Sequence, residues 1–200
     1  MQTMMVPKGL CDEIERIVWK FVWGSNNGNA KVALVSWDSM CQPKAHRGLG
    51  LRHLKDHNTS FMMNVGFNIV SNVNALWVRV LRTKYGISSG LLENLSRGHC
   101  SFLWRSIAKV WPFIHENLVW SVGDVWGATS IGSFSLKSAY GKIRGGALNP
   151  KERIWELPWT LKGPQRICFF LWLAFKHRLL TNAKRVMRGI GNNNSCGFCG

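Results

Sequence analysis

Nine consecutive apolar residues, ICFFLWLAF from Ile167 to Phe175, constrain the fold of this chain more than any other feature. Such a run has to be buried, because exposure to water would forfeit the free energy gained by removing apolar surface from solvent. It is far shorter than the ~20 apolar residues that span a bilayer. With Pro164 ahead of it and Lys176 behind it, the run predicts a core helix and no membrane span.

Apolar residues at helical spacing recur in the first half of the chain. The segment CDEIERIVWKFVW predicts a helix that starts at Asp12, where Asp12 and Glu15 form a capping-box pattern, and stops at Gly24. A longer helical stretch extends from Ser60 to Tyr85, and the asparagine-rich segment SNVN is expected to break it in two. VALVSWDSM is predicted to be extended.

The second half alternates short extended pieces with helices. SFLWRSIAKVWP predicts a helix that ends at Pro112, and two extended pieces then precede a helix that begins near Lys137. Thr181 is expected to cap a final helix ending at Gly189. The predicted fold class is mainly α with a few short β-strands, in small helical domains of irregular arrangement, with RGGALNP as the candidate linker.

The charge of the chain predicts an attraction to polyanions. Lys and Arg number 26 against 10 acidic residues, which gives a formal net charge of +16. Nucleic acid is the commonest polyanion in cells, and binding through phosphates would be independent of sequence and weakened by salt. The predicted nucleic-acid-binding residues are Lys176, Arg178, Lys184, Arg185 and Arg188.

Two alternatives concern this basic segment. The cations could form a solvated face without a ligand, although the acids that would balance them are absent from the segment. Trp172 and Phe175 could stack on unpaired bases, but their place in a continuous apolar run favours the core.

Cys196 and Cys199 form a C-x-x-C pair next to Gly200. Structural zinc requires four ligands, so this pair is half of a site, and zinc is a cofactor whose site is incomplete in this chain. Cys168 is expected to be a buried apolar residue and His177 a solvated residue at a helix end. Two chains could share one ion through four cysteines, an alternative that stays open.

No catalytic constellation is found in the sequence, and the chain is predicted not to be an enzyme. Asp38 has no acidic partner nearby for acid–base chemistry, and no Ser-His-Asp set can be argued from sequence order. His46, His53 and His57 have basic neighbours, which disfavours a cation, and they are interpreted as surface residues. Scattered cysteines and the lack of a secretory leader predict an intracellular location, nucleus or cytoplasm, with the oligomeric state undetermined.

The segment WELPWTLKGPQRICFFLWLAFKHRLLTNAKRVMRGI, followed by CGFCG, resembles the zinc-binding region of reverse transcriptases from plant LINE-type (non-LTR) retrotransposons. GSFSLKSAY matches the entry to the same region, and LWVRVLRTKYG resembles a segment downstream of the polymerase core. The resemblance implies a helical connector over residues 1–125 and a truncated zinc-binding domain over residues 132–200.

The same resemblance implies what this chain would do. The paired aspartates of the family's polymerase site lie upstream of the matching segments, its ribonuclease H segment lies downstream, and its remaining zinc ligands follow the C-x-x-C pair. We therefore expect a non-catalytic fragment of a retrotransposon polyprotein that binds RNA or DNA. The alternative is a decayed or truncated gene product without an independent biochemical function.

Overall fold

The computed structural model describes residues 4–26, 29–30, 32–87, 100–119, 125–190 and 192–195. Contacts within the chain divide it into two compact units. The first unit comprises Met1–Glu15 and His53–Ala147, and the second comprises Arg16–Arg52 and Leu148–Gly200. The predicted domains, residues 1–125 and 132–200, rest on the resemblance to a family and not on contacts in space. These domain limits stay a prediction.

The predicted fold class, mainly α with a few short strands, is confirmed. The helices are α1 (Lys8–Trp23), α2 (Trp37–Met40), α3 (Leu54–Ser71), α4 (Leu76–Tyr85), α5 (Phe102–Glu116), α6 (Leu136–Arg144), α7 (Leu157–Thr160), α8 (Gln165–Phe175) and α9 (Asn182–Met187). The strands are β1 (Ser25–Asn26), β2 (Asn29–Ala30), β3 (Leu118–Val119) and β4 (Val125–Trp126). β1 pairs with β2 and β3 with β4, both antiparallel. None of the helices described combines the length and the apolar character needed to cross a membrane.

The core of the first unit forms where α3 packs against α5 and α6. Gly66 lies at the closest approach of α3 to α5, because a Cβ atom at this position would overlap the side chain of Ile114. Ile107 and Ile114 are fully buried there. The ring of Tyr85 stacks on Trp104 with 4.0 Å between ring centroids, which joins the end of α4 to α5.

α1 begins four residues before the predicted start, and the capping box at Asp12 is wrong. The carbonyl oxygen of Pro7 accepts the N–H groups of Leu10 and Cys11 at 3.1 Å each, so the first turn forms on Pro7. Proline suits this place because its φ is already helical. The predicted stop is confirmed, since Gly24 has a φ of 75°.

The predicted end of α5 at Pro112 is wrong, because the helix continues to Glu116. Proline removes one helical hydrogen bond and crowds the preceding turn, at a cost of ~3 kcal/mol in a helix interior. Beyond Pro112 the same helix buries Ile114 completely in the core. Burial of an isoleucine side chain contributes about 1.5–3 kcal/mol, which offsets most of that cost.

Replacement of Pro112 by Ala is expected to stabilise the first unit by about 1–2 kcal/mol. Pro112 is exposed and lies inside the helix, so alanine restores the missing N–H without disturbing the core. The gain is smaller than the full helix penalty because proline also restricts the unfolded chain. Urea unfolding of the wild type and of Pro112→Ala measures the difference, and an unchanged or lower midpoint would contradict this account.

The predicted start of the long helical stretch at Ser60 is wrong, because α3 already begins at Leu54. The break at SNVN separates α3 from α4, and α6 begins at Leu136. The predicted extended segment VALVSWDSM ends instead in the single helical turn α2, because the Ser36 hydroxyl accepts the N–H of Ser39 at 3.4 Å. The chain passes between the two units at three places, and one of them, between Ala147 and Leu148, falls within RGGALNP, the predicted linker.

The core of the second unit is built on the apolar run that the sequence singled out. α8 follows Pro164, as predicted, and Trp172 on this helix is completely buried. Trp155, Met40 and Leu173 complete the buried cluster with Val35. One face of this helix therefore belongs to the core, with Trp172 in it as expected, whereas Phe175 is half-buried and Ile167 and Phe170 are 47% and 54% exposed.

Candidate functional site

The second unit contains a groove of about 860 Å³ whose lining is strongly basic. Four cationic side chains contribute to it: Arg47, Lys176, Arg178 and Arg188. No aspartate or glutamate is among the lining residues in the described part of the chain. The groove therefore concentrates positive charge in one recess.

The C-terminal turn of α8 positions two of these cations. His177 has a φ of 52°, in the left-handed region that usually holds glycine at this place. Its N–H donates to the carbonyl of Ala174 at 2.8 Å, and the N–H of Arg178 donates to the carbonyl of Leu173 at 2.9 Å. These two bonds form a Schellman motif, which ends the helix and reverses the chain. Lys176 and Arg178 consequently line the same groove.

Lys176 is held against the aromatic core. Its Nζ donates to Ser39 Oγ at 2.5 Å and lies 5.2 Å from the ring centroid of Trp172 and 6.0 Å from that of Trp155. Burial lowers the pKa of Lys176 to about 8, with further contributions from the positive charges of Arg47 and Arg178. Lys176 is therefore a recessed cation and not a freely solvated one.

Arg47 enters the groove from the turn that follows a 3₁₀ helix, Lys44–His46. Its Nη2 donates to Glu152 Oε1 at 2.5 Å, and its guanidinium lies 5.2 Å from the ring centroid of Trp155. The bond from Arg47 lowers the pKa of the Glu152 carboxyl, helped by a second bond from Trp155 Nε1. The carbonyl of Arg47 accepts the indole N–H of Trp172 at 3.2 Å, which fixes the turn to α8.

Three of the five predicted nucleic-acid-binding residues line this groove: Lys176, Arg178 and Arg188. Lys184 and Arg185 on α9 do not line it, and Nζ of Lys184 donates to the carbonyl of His177. Sequence reasoning missed Arg47, which lies more than a hundred residues earlier. Its position in a glycine-rich turn gave no sign that it would meet α8.

The predicted metal ligands Cys196 and Cys199 lie outside the described residues. Cys168 is buried, with 2% of its surface exposed, and His177 is exposed at the end of α8; both predictions are confirmed. Within the described ranges, no three His, Cys, Asp or Glu side chains come together as a metal site.

The three histidines of the first half are less exposed than predicted. Nδ1 of His46 contacts the carbonyl of Asn149 in the second unit. In the first unit, Nδ1 of His53 lies 3.5 Å from Glu15 Oε2, and the ring of His57 packs on Phe61 with 4.9 Å between centroids. Each has a structural role in local packing.

The C-terminal third of the chain is similar to a known protein family. Residues 134–200 match the family described as zinc-binding in reverse transcriptase. A "Putative ribonuclease H protein" of Arabidopsis thaliana is 31% identical over 129 residues, which cover 62% of this chain and 20% of that protein. An "Uncharacterized mitochondrial protein" of the same plant is 28% identical over 125 residues, which cover 62% of this chain and 81% of that protein. No solved structure is significantly similar.

The family match covers the segment that contains α6 to α9 and the C-x-x-C pair. The chain spans only one fifth of the length of the first relative, so the activity named for that protein does not transfer with the match. The LINE-type assignment stays a prediction. The recognition itself is confirmed at the level of similarity: the matches support a fragment related to plant retrotransposon reverse transcriptases, and residues 134–200 match the family described as zinc-binding in reverse transcriptase.

Proposed function

We propose that the second unit is a non-catalytic module that binds RNA or DNA through phosphates, without sequence preference. The observation that carries this proposal is the groove, which four cations line and no carboxylate of the described residues lines, in a chain of net charge +16. Lysine and arginine are the side chains that neutralise phosphates, and release of counterions from the nucleic acid drives such binding.

The four cations of the groove favour phosphate contacts. Trp172 and Trp155 are buried in the core, so neither ring is available to stack on bases, whereas the half-buried rings of Trp19, Trp37 and Phe175 line the groove beside the cations. Arg47 and Lys176 cover Trp155 and present cationic groups instead. Contacts to phosphates position a nucleic acid but carry no sequence information.

The proposal that the chain is not an enzyme follows from the same lining. General acid–base catalysis and metal-assisted phosphoryl transfer both use carboxylates beside the substrate. Glu152 is paired with Arg47 and Trp155, where it orients the arginine. A role in holding template or element RNA for a polymerase domain agrees with the named family of residues 134–200.

We propose zinc ligands separately from the phosphate-binding residues. Cys196 and Cys199 are the proposed ligands, because the family is described as zinc-binding and thiolates are preferred zinc ligands. Two thiolates fill half of a tetrahedral site, so we propose that full coordination requires donors beyond these two residues.

Charge removal inside the groove is expected to weaken nucleic-acid binding more than charge removal on α9. Arg178→Gln and Arg188→Gln should each reduce affinity about tenfold at low salt, and each should lower the slope of log affinity against log salt by about one. Lys184 and Arg185 lie on α9 and outside the groove. Lys184→Gln and Arg185→Gln are therefore the matched controls and should change affinity about twofold or less. Filter binding of a mixed-sequence single strand across a salt series measures all four.

Two results would contradict the proposal. Affinity that does not respond to salt would exclude a phosphate-driven mechanism. Equal losses for all four variants would show that the whole basic surface attracts the ligand and that the groove has no special part.

A further inference from the structure

Lys176 differs from Arg47, another cation of the groove, in how its charge is neutralised. Arg47 has Glu152 as its partner at 2.5 Å. The ammonium group of Lys176 has the Ser39 hydroxyl and two indole faces, and no carboxylate of the described residues lies within ion-pair distance of it. Arg178 and Arg188 are exposed and likewise have no carboxylate partner among the residues described. The groove therefore holds several positive charges and lacks the negative charge that would balance them.

This surplus favours an anion at one particular place. Partly removed from water, Lys176 interacts more strongly with an added charge than a lysine on the open surface does. Ser39 Oγ accepts the bond from Lys176, so its own hydrogen can be donated to a ligand. Arg47 uses part of its fork for Glu152, and a guanidinium has five N–H donors in all. These donors suit a small anion with several oxygen atoms.

We infer that Lys176, Arg178 and Arg47, with the Ser39 hydroxyl, form a binding site for one phosphate group of a nucleic acid, and that Lys176 must be protonated for this site to work. This inference rests on the proposed function, because it names the group that the groove holds. The phosphate is either a backbone phosphodiester or the terminal phosphate of a strand, which share the same chemistry.

The protonation state of Lys176 makes phosphate binding at this site depend on pH in a range where an ordinary lysine stays charged. The charged and titratable side chains that face Lys176 or border it are Asp38, Arg47, Glu152, His177, Arg178 and Arg188. Among these groups, bonds from Arg47 and Trp155 lower the pKa of Glu152, so this carboxylate keeps its charge between about pH 7 and pH 9. The pKa of Lys176 is lowered to about 8, so this lysine loses its proton within the range. An ordinary lysine does so only near pH 10.4.

The direction of the effect follows from these values. Below the pKa the ammonium is present and the phosphate is bound, and above it the neutral amine must first take up a proton. Each pH unit above the pKa therefore costs about a factor of ten, and affinity should fall about tenfold between pH 7 and pH 9.

The experiment measures fluorescence anisotropy of a short labelled single strand at about pH 7 and pH 9, at constant low ionic strength. The strand is used with and without a 5′-phosphate. The proteins are the wild type, Lys176→Gln and the matched control Lys162→Gln, which removes an exposed lysine of the same unit outside the groove. We expect Lys176→Gln to bind about tenfold more weakly at pH 7 and to lose the pH dependence, whereas Lys162→Gln keeps both affinity and pH dependence.

The two strands identify the source of the phosphate. If both strands bind with equal affinity and Lys176→Gln weakens both, the site holds a backbone phosphodiester. If the 5′-phosphorylated strand binds more tightly and Lys176→Gln abolishes this difference, the site holds a terminal phosphate. Two results would overturn the phosphate site while the proposed function stands. In the first, the wild type binds with a dependence on salt but with equal affinity at both pH values. In the second, Lys176→Gln binds as tightly as the wild type. Absence of binding by either strand at low salt overturns both.

Discussion

Gly48→Ala is expected to destabilise the second unit by about 3 kcal/mol or more, which is at the severe end for a single added methyl group. Gly48 is buried in the turn that carries Arg47. A Cβ atom at this position would overlap the carbonyl carbon and oxygen of Gln42. Because these are backbone atoms, no side-chain rotation can relieve the overlap.

The hydrogen bonds of the turn explain why the backbone cannot move aside. The N–H of Gly48 donates to the carbonyl of Pro43 at 3.0 Å, and the N–H of Gly50 donates to the carbonyl of Gln42 at 2.8 Å. Gln42 itself is 5% exposed, and its side-chain oxygen accepts the N–H of Asn149 at 3.3 Å. Displacement of Gln42 would therefore break contacts on both sides of the turn and move Arg47.

Urea unfolding followed by tryptophan fluorescence measures this effect, with Gly163→Ala as the matched control. Gly163 lies in the same unit, and a Cβ atom there would meet nothing within 4 Å. The control should change the free energy of unfolding by no more than about 1 kcal/mol. A Gly48→Ala protein as stable as this control would show that the turn is not packed as described.

Trp172→Ala is expected to cost about 3–5 kcal/mol, the usual range for removal of a buried aromatic side chain. Trp172 is completely buried, and its ring lies 5.5 Å from that of Phe169. Its indole N–H also satisfies the carbonyl of Arg47 at 3.2 Å. The variant should therefore lose both core packing and the fixed position of the turn beside Lys176.

Two further substitutions separate these contributions in the same urea assay. Trp172→Phe keeps most of the packing but leaves the Arg47 carbonyl without its donor, and we expect a loss of about 1–3 kcal/mol. Phe170→Ala is the matched control on the same helix, because Phe170 is 54% exposed, and it should cost less than about 1 kcal/mol. Similar losses for Trp172→Ala and Phe170→Ala would contradict the assignment of the core face of α8.

These measurements also bear on the alternative of a decayed gene product without function. Such a product is not expected to unfold cooperatively, since a chain without a specific core has no defined transition. A cooperative wild-type transition that Trp172→Ala shifts and Phe170→Ala does not would count against that alternative.

Local patterns in the sequence predicted most of the helices correctly. The apolar run Ile167–Phe175 specified α8 but not its buried face, because every residue of the run is apolar. The structure buries Cys168, Trp172 and Leu173 and leaves Phe170 54% exposed. Gly24 and Gly189 marked turns with positive φ, which follow from the properties of glycine alone. The errors at Asp12 and Pro112 arose where a neighbouring proline or a distant core outweighed the local signal.

The sequence by itself determined the helical class, the surplus of positive charge and the place of α8 in the chain, because each depends on composition or on neighbours in the chain. Only the tertiary structure decided which cations meet. Lys176 and Arg178 join Arg47 rather than Lys184 and Arg185, because the indole N–H of Trp172 fixes a turn that is 125 residues away in sequence. Contacts between such distant residues follow from packing and hydrogen bonding in space, and no periodicity along the chain encodes them.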